Sequence, residues 1–209
     1  MIVKSKRNID NECLSIDKLY PVIAYEKEEN RIIRFQILDD DRSLSWKRNE
    51  QFYIVSKSLI NYCKINYNER NVYVHKDLNY KDFLVDFYLE NEESVIAALK
   101  LEEVLISIFT DELTTEEILQ NINEIGYKND CVDLMLKTFF KKATMQEIKE
   151  FSDKVYNVVS ELDNYVLQII VDNLKIYKEN EIENLFMEIY LNIPCSMQII
   201  ETLSKYFGF

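Results

Sequence analysis

Glycine and proline are almost missing from this chain, with two of each in 209 residues. Gly126 and Gly208 stand 82 residues apart. A loop that cradles phosphate needs closely spaced glycines, so Walker and dinucleotide-binding fingerprints are excluded. Histidine is scarcer still. His75 is the single imidazole, so any Ser-His-Asp or Cys-His relay would have to use it. A metal site with two imidazole ligands, HExxH among them, cannot be written. His75 closes the segment Val72-Tyr73-Val74-His75-Lys76, a strand end, and reads as an exposed or hydrogen-bonded structural residue.

The four cysteines, Cys13, Cys63, Cys131 and Cys195, lie 50, 68 and 64 residues apart. No CxxC pair occurs, which removes zinc knuckles and thioredoxin-type redox motifs. Free buried thiols of a reducing compartment are the reading. No run approaches the roughly 20 apolar residues of a membrane span. Met1 to Asp10 carries basic residues with no apolar core after them, so a secretory signal is not expected. A cytoplasmic protein follows, with no membrane association.

Carboxylates remain as possible chemistry. Asp39-Asp40-Asp41 is the densest cluster, but consecutive strand residues face opposite ways and the glycine of a calcium loop is missing. It reads as a hairpin turn. A carboxylate glycosidase would be expected to bring several tryptophans for its sugar, and this chain has only Trp46. Trp46 reads as core or barrel-lip packing. No catalytic motif, cofactor site or metal site is found.

What is present divides near residue 95. The first part reads as strands. Leu19 to Tyr25 is a β-prone run, Lys27 to Asn30 a polar turn, and Arg31 to Leu38 alternates through Ile33, Phe35 and Ile37. Gln51 to Ser56 and Val72 to Val74 add further strands around the polar loop 66–71. Asp82 to Leu89 leans to helix. Tyr62, Tyr67, Tyr73 and Tyr80 fall in a polar stretch, 61–81, whose composition suits a protein-binding surface.

From Ser94 the period becomes 3.6. Val95, Ala98, Leu99, Leu101, Leu105 and Ile108 mark an amphipathic helix. Thr114 with Glu117 and Thr144 with Glu147 fit capping boxes, and Asn180 with Glu183 opens a further helix. Asp163 caps another helix, and Gly126 fits a left-handed C-terminal cap. The count is about seven helices with short links. The expectation is an α+β fold: residues 1–95 a mainly-β, SH3-like small barrel or curled antiparallel sheet with a short helix, and residues 96–209 an acidic all-α bundle. The two Thr-x-x-Glu openings leave a helical-repeat architecture open as well.

Charge is uneven. Residues 1–95 hold 15 basic and 17 acidic side chains, whereas 96–209 hold 10 and 20, within a net charge of −12. Such a surface repels phosphate, which argues against direct nucleic-acid binding. It attracts and steers a basic protein.

Three segments carry a resemblance: Leu19-Tyr20-Pro21-Val22-Ile23-Ala24, Phe35-Gln36-Ile37-Leu38-Asp39-Asp40 and Phe52-Tyr53-Ile54-Val55. Together they resemble the opening barrel of small cytoplasmic toxin-immunity proteins of low-GC bacteria, over about 40 residues of this chain. The glycine and proline of that family's middle hairpin are missing here, and the helical half has no counterpart in it. The matching positions are structural, so no site residue carries over. The resemblance implies a bacterial toxin inhibitor that works by binding.

The expected partner is therefore a basic protein, a toxin or nuclease, contacted by Glu102, Glu103, Asp111, Glu112, Glu116 and Glu117, and by Glu179, Glu181, Glu183 and Glu188. Three other readings use the same sequence. A phage or plasmid DNA mimic would space its acids like phosphates along one face. A helical-repeat adaptor would offer a concave groove. A carboxylate enzyme would hold two or more acids in a deep pocket near Asp39 or Asp82.

Overall fold

The computed structural model describes residues 1–6, 13–67, 70–80, 82–89, 92–127 and 132–209, apart from the side chains of Asn66 and Tyr67. Strands lie in the N-terminal part and helices follow, an α+β fold. The expected Cys131 helix start lies outside the described residues. Packing divides the chain into Met1–Ile125 and Gly126–Phe209. The last strand ends at His75 and the first α-helix starts at Phe83, before residue 95, and the compact unit runs on to Ile125.

In the first unit, β1 (Ile2–Ser5), β2 (Leu19–Pro21) and β6 (Phe52–Ser56) form one antiparallel sheet in the order β2-β1-β6. A second antiparallel sheet has the order β5-β4-β3-β8-β7, from β3 (Ala24–Glu28), β4 (Arg31–Leu38), β5 (Leu44–Arg48), β7 (Tyr62–Tyr67) and β8 (Arg70–His75). The alternation read over Arg31 to Leu38 is β4, which buries Phe35 and Ile37 completely; Ile33, read on the same face, is half-buried, because a shift in the β3–β4 register skips it and Ile32 is buried instead. The β3–β4 turn places Glu29 and Asn30 at φ of 47° and 77°. Two positive values in succession suit the twist of a tight hairpin.

The run Leu19 to Tyr25, read as one strand, is two. Pro21 has no N–H to continue a ladder. The chain changes sheets just beyond it: Val22 N–H donates to Met1 O at 3.1 Å, and Ile23 N–H donates to Gln36 O at 3.0 Å. Met1, Val3, Tyr20, Val22, Tyr25, Phe35, Ile37 and Phe52 form the core here.

The unit also holds α1 (Phe83–Tyr88), α2 (Glu92–Glu112) and α3 (Thr115–Ile125). Periodicity is right about α2 but places its buried face partly wrongly. Ala97, Leu101, Val104, Leu105, Ile108 and Phe109 are buried, whereas Val95, Ala98 and Leu99 are exposed. Val95 to Leu99 is an unbroken apolar run after the acidic first turn, so spacing alone does not select a face there. Gly126 follows α3 at φ 79°, the left-handed cap expected of it.

The second unit contains α4 (Val132–Lys142), α5 (Met145–Tyr156), α6 (Asn164–Leu174), α7 (Asn180–Asn192) and α8 (Met197–Phe207). Helix α4 packs on α6, α5 on α7, and α8 on both α6 and α7. Its core includes Phe139, Phe151, Val155, Ile170, Leu185, Phe186 and Leu203. The Thr144 box closes, with Thr144 N–H donating to Glu147 at 2.7 Å and Glu147 N–H to Thr144 Oγ1 at 3.3 Å. The helix read as opening at Asn180 is α7, which starts there. Glu179 is the N-cap of α7 and makes no side-chain cap bond; its carboxylate pairs instead with Lys149 of α5.

Candidate functional site

The Asp39-Asp40-Asp41 cluster forms the β4–β5 turn. Asp39 is buried, accepts Ser43 N–H at 3.0 Å and lies 3.8 Å from Lys47 Nζ. Asp40 accepts from the buried Lys18 ammonium, from Ser15 Oγ at 2.7 Å and from Tyr20 OH at 2.8 Å. Burial pushes the Asp40 carboxyl up, and these three donors together outweigh it, so its pKa lies below the usual value. Asp41 accepts from Cys13 at 2.6 Å. The three carboxylates thus point to three different partners. No group of His, Cys, Asp or Glu suited to a metal ion occurs among the described residues.

The Cys13 thiol is raised by its bond to Asp41, and Cys195 by burial. Cys13 is exposed and Cys63 and Cys195 are half-buried, rather than fully buried as the composition suggested. Burial, with Tyr73 beside it, pushes the Tyr25 phenol up to about 12. The His75 ring is neither exposed nor hydrogen-bonded. It is buried, and neither ring nitrogen has a hydrogen-bond partner. Trp46 lies on β5, partly exposed, with the Arg34 guanidinium 5.7 Å from its ring. Of the four tyrosines noted, Tyr62 and Tyr73 pack against Tyr25, Tyr80 is exposed, and the Tyr67 side chain lies outside the described residues.

The predicted partner-binding acids fall into both compact units. Glu102, Glu103, Asp111 and Glu112 lie on α2, and Glu116 and Glu117 in the first turn of α3. Glu103 is exposed and 3.5 Å from Lys100, Asp111 and Glu116 are exposed, and Glu102 is half-buried. Glu117 is occupied by its capping box, accepting Thr114 N–H at 2.7 Å. Glu112 is not a surface carboxylate. Its side chain is 8% exposed and accepts from the Met1 ammonium at 3.2 Å.

In the second unit, Glu179 is taken by Lys149 and Glu183 is exposed. Glu181 and Glu188 do come together, in a groove of about 500 Å³ between α5 and α7. Asp153 and Asn157 line its α5 wall, and Asn184 and Asn192 its α7 wall. Tyr156, Met187 and Leu191 supply apolar surface and are 43%, 40% and 66% exposed. No basic residue lines it. Sequence reading found Glu181 and Glu188 but missed the α5 wall. The signal was available: Asp153, Tyr156 and Asn157 stand at i, i+3 and i+4, one stripe of the helix.

Compared with protein families, curated proteins and solved structures, this chain matches none.

The site therefore rests on its geometry. Three carboxylates with exposed aromatic, thioether and leucine surface make an acidic groove complementary in charge and polarity to a cation carried on an apolar stem. Lys and Arg side chains have that form. Among the described residues no helix is long and apolar enough to cross a membrane.

Proposed function

We propose that this chain is a binding protein of the toxin-immunity type, which neutralises a basic protein partner by occupying it. The observation that carries the reading is the α5–α7 groove, where Asp153, Glu181 and Glu188 surround Tyr156, Met187 and Leu191 with no lining base. A nuclease fits the reading best as partner, because a cleft built to hold phosphates is basic. The net charge of −12 supports rapid association with such a protein. Aromatic and thioether surface at the centre of the groove would provide desolvated anchors that long-range charge alone does not.

The test is a capture from lysate followed by an add-back. The full chain should retain a basic protein at low salt, release it at high salt, and suppress that protein's activity in a purified assay. The triple variant Asp153→Lys, Glu181→Lys, Glu188→Lys should do none of these while keeping its helical circular dichroism. Equal capture and suppression by the triple variant would remove the groove from the mechanism. Retention of only acidic proteins would remove the proposal itself.

A further inference from the structure

We propose that two copies of this chain associate edge to edge through β6, making one continuous six-stranded antiparallel sheet. An open sheet edge presents unpaired main-chain groups, and proteins protect such edges with charge, proline or brevity. Three of the four edges in this fold are protected in those ways. Strand β2 has three residues, ends at Pro21, and gives its Leu19 N–H to Asn121. Strand β5 carries Lys47 and Arg48, and β7 carries Lys64.

Strand β6 has no charged residue and no proline of its own; its one bulge lies at Val55, towards its end, and Lys6 Nζ lies 4.9 Å over the Tyr53 ring. It reads Phe-Tyr-Ile-Val-Ser, and Tyr53, Ile54 and Val55 are 62%, 46% and 46% exposed. Ile60, beyond it, is 90% exposed. One edge of β6 pairs with β1, and among the described residues the other is the end of the sheet. Gln51 O accepts Lys6 N–H at 3.0 Å on the β1 side. Alternation along the strand then directs the N–H and C=O of Ile54 to the open side. A bulge at Val55 shifts the register against β1 between Ile2 and Val3. The free segment is therefore short and centred on Ile54.

That centre suits a second copy of the same strand. A two-fold axis at Ile54 sets Ile54 opposite itself, Tyr53 opposite Val55, Phe52 opposite Ser56 and Gln51 opposite Lys57. The two Ile54 residues exchange their N–H···O bonds. Aromatic and β-branched residues then face each other, the pairings that stabilise sheets. No like charges meet anywhere from Gln51 to Lys57. Identical patches meeting across a two-fold axis are the commonest form of protein association.

Sedimentation of the full chain from roughly 1 to 100 μM should show a shift from monomer to dimer, as mass action requires. Ile54→Lys puts two cations opposite each other and should weaken association about tenfold or more. Its far-ultraviolet circular dichroism should be unchanged. Wild-type hydrogen exchange provides a reading that does not depend on the variant folding: the Ile54 N–H should become protected as concentration rises. A monomer throughout the range overturns the proposal. So does a dimer whose Ile54 N–H stays unprotected, or one that a folded Ile54→Lys variant retains.

Discussion

The carboxamide oxygen of Asn121 accepts the main-chain N–H of Leu19 at 3.2 Å, and its nitrogen donates to Asp17 O at 3.0 Å. A single buried side chain on α3 thereby holds the start of β2. Neighbouring Glu124 adds an ion pair to Lys4 of β1 at 2.9 Å. Asn121→Ala leaves the buried Leu19 N–H without its acceptor and should cost about 1 to 3 kcal/mol. Denaturant titration would measure it. A loss within error of zero would mean that α3 is held by apolar packing alone.

Asp40→Ala removes the carboxylate facing the buried Lys18 ammonium and should cost roughly 3 kcal/mol, the scale of breaking a buried pair. Replacing both, as Lys18→Met with Asp40→Leu, should cost less than the two single losses summed. The folded pKa of Asp40 lies below its ordinary value of 3.8. The folded state therefore binds fewer protons, so this contribution is present above pH 3.8 and is lost as pH falls through the folded pKa. Additive single and double variants would show that the pair is not coupled.

His75 predicts a second pH effect. Its ring lies 3.6 Å from Asp77 and edge-on to Tyr62. Burial lowers its pKa, Asp77 and Asp111 oppose that, and Lys76 and the Met1 ammonium add to it. Unfolded, the ring takes a proton near its ordinary 6.5; folded, it resists. Stability should therefore be full above pH 6.5 and decline as pH falls below it. A His75→Gln variant should have a flatter melting profile between about pH 7 and 5. Parallel profiles for the two proteins would contradict this.

The two closed capping boxes offer a paired test. Thr144→Ala should destabilise the helical unit by about 1 kcal/mol, and Thr114→Ala should do the same to the sheet-containing unit. Residue-resolved hydrogen exchange should assign each loss to its own unit. Both losses spreading over the whole chain would indicate that the units unfold as one.

These elements also show how far the sequence could be read. Strand β4 was legible because one face is buried and the residues alternate. Strand β1 was not, because Ile2 and Val3 are both fully buried and four residues are too few for a period. Strand β7 was hidden by the polar composition of a sheet edge, where burial leaves little pattern. The Thr boxes were legible because capping is local chemistry. The α5–α7 groove was half legible: acids on α7 stood out by charge, whereas Asp153, Tyr156 and Asn157 gain meaning only when another helix lies alongside.

The β1–β6 pairing also sets an order of events. Ile2 pairs with Ser56 and Val3 with Ile54, so this ladder encloses β2, β3, β4 and β5 in the loop it closes. The β3–β4 hairpin closes only Glu29 and Asn30. Loop-closure entropy favours the short loop strongly, so the hairpin should gain protection early and β1 late during refolding. Pulsed exchange would see the Gln36 N–H, which faces β3, protected before the Lys4 N–H, which faces β6. Until β1 arrives, β6 has neither neighbour, and its uncharged apolar strand is then exposed along both edges. The refolding yield should therefore fall as protein concentration rises, even where the finished fold is stable.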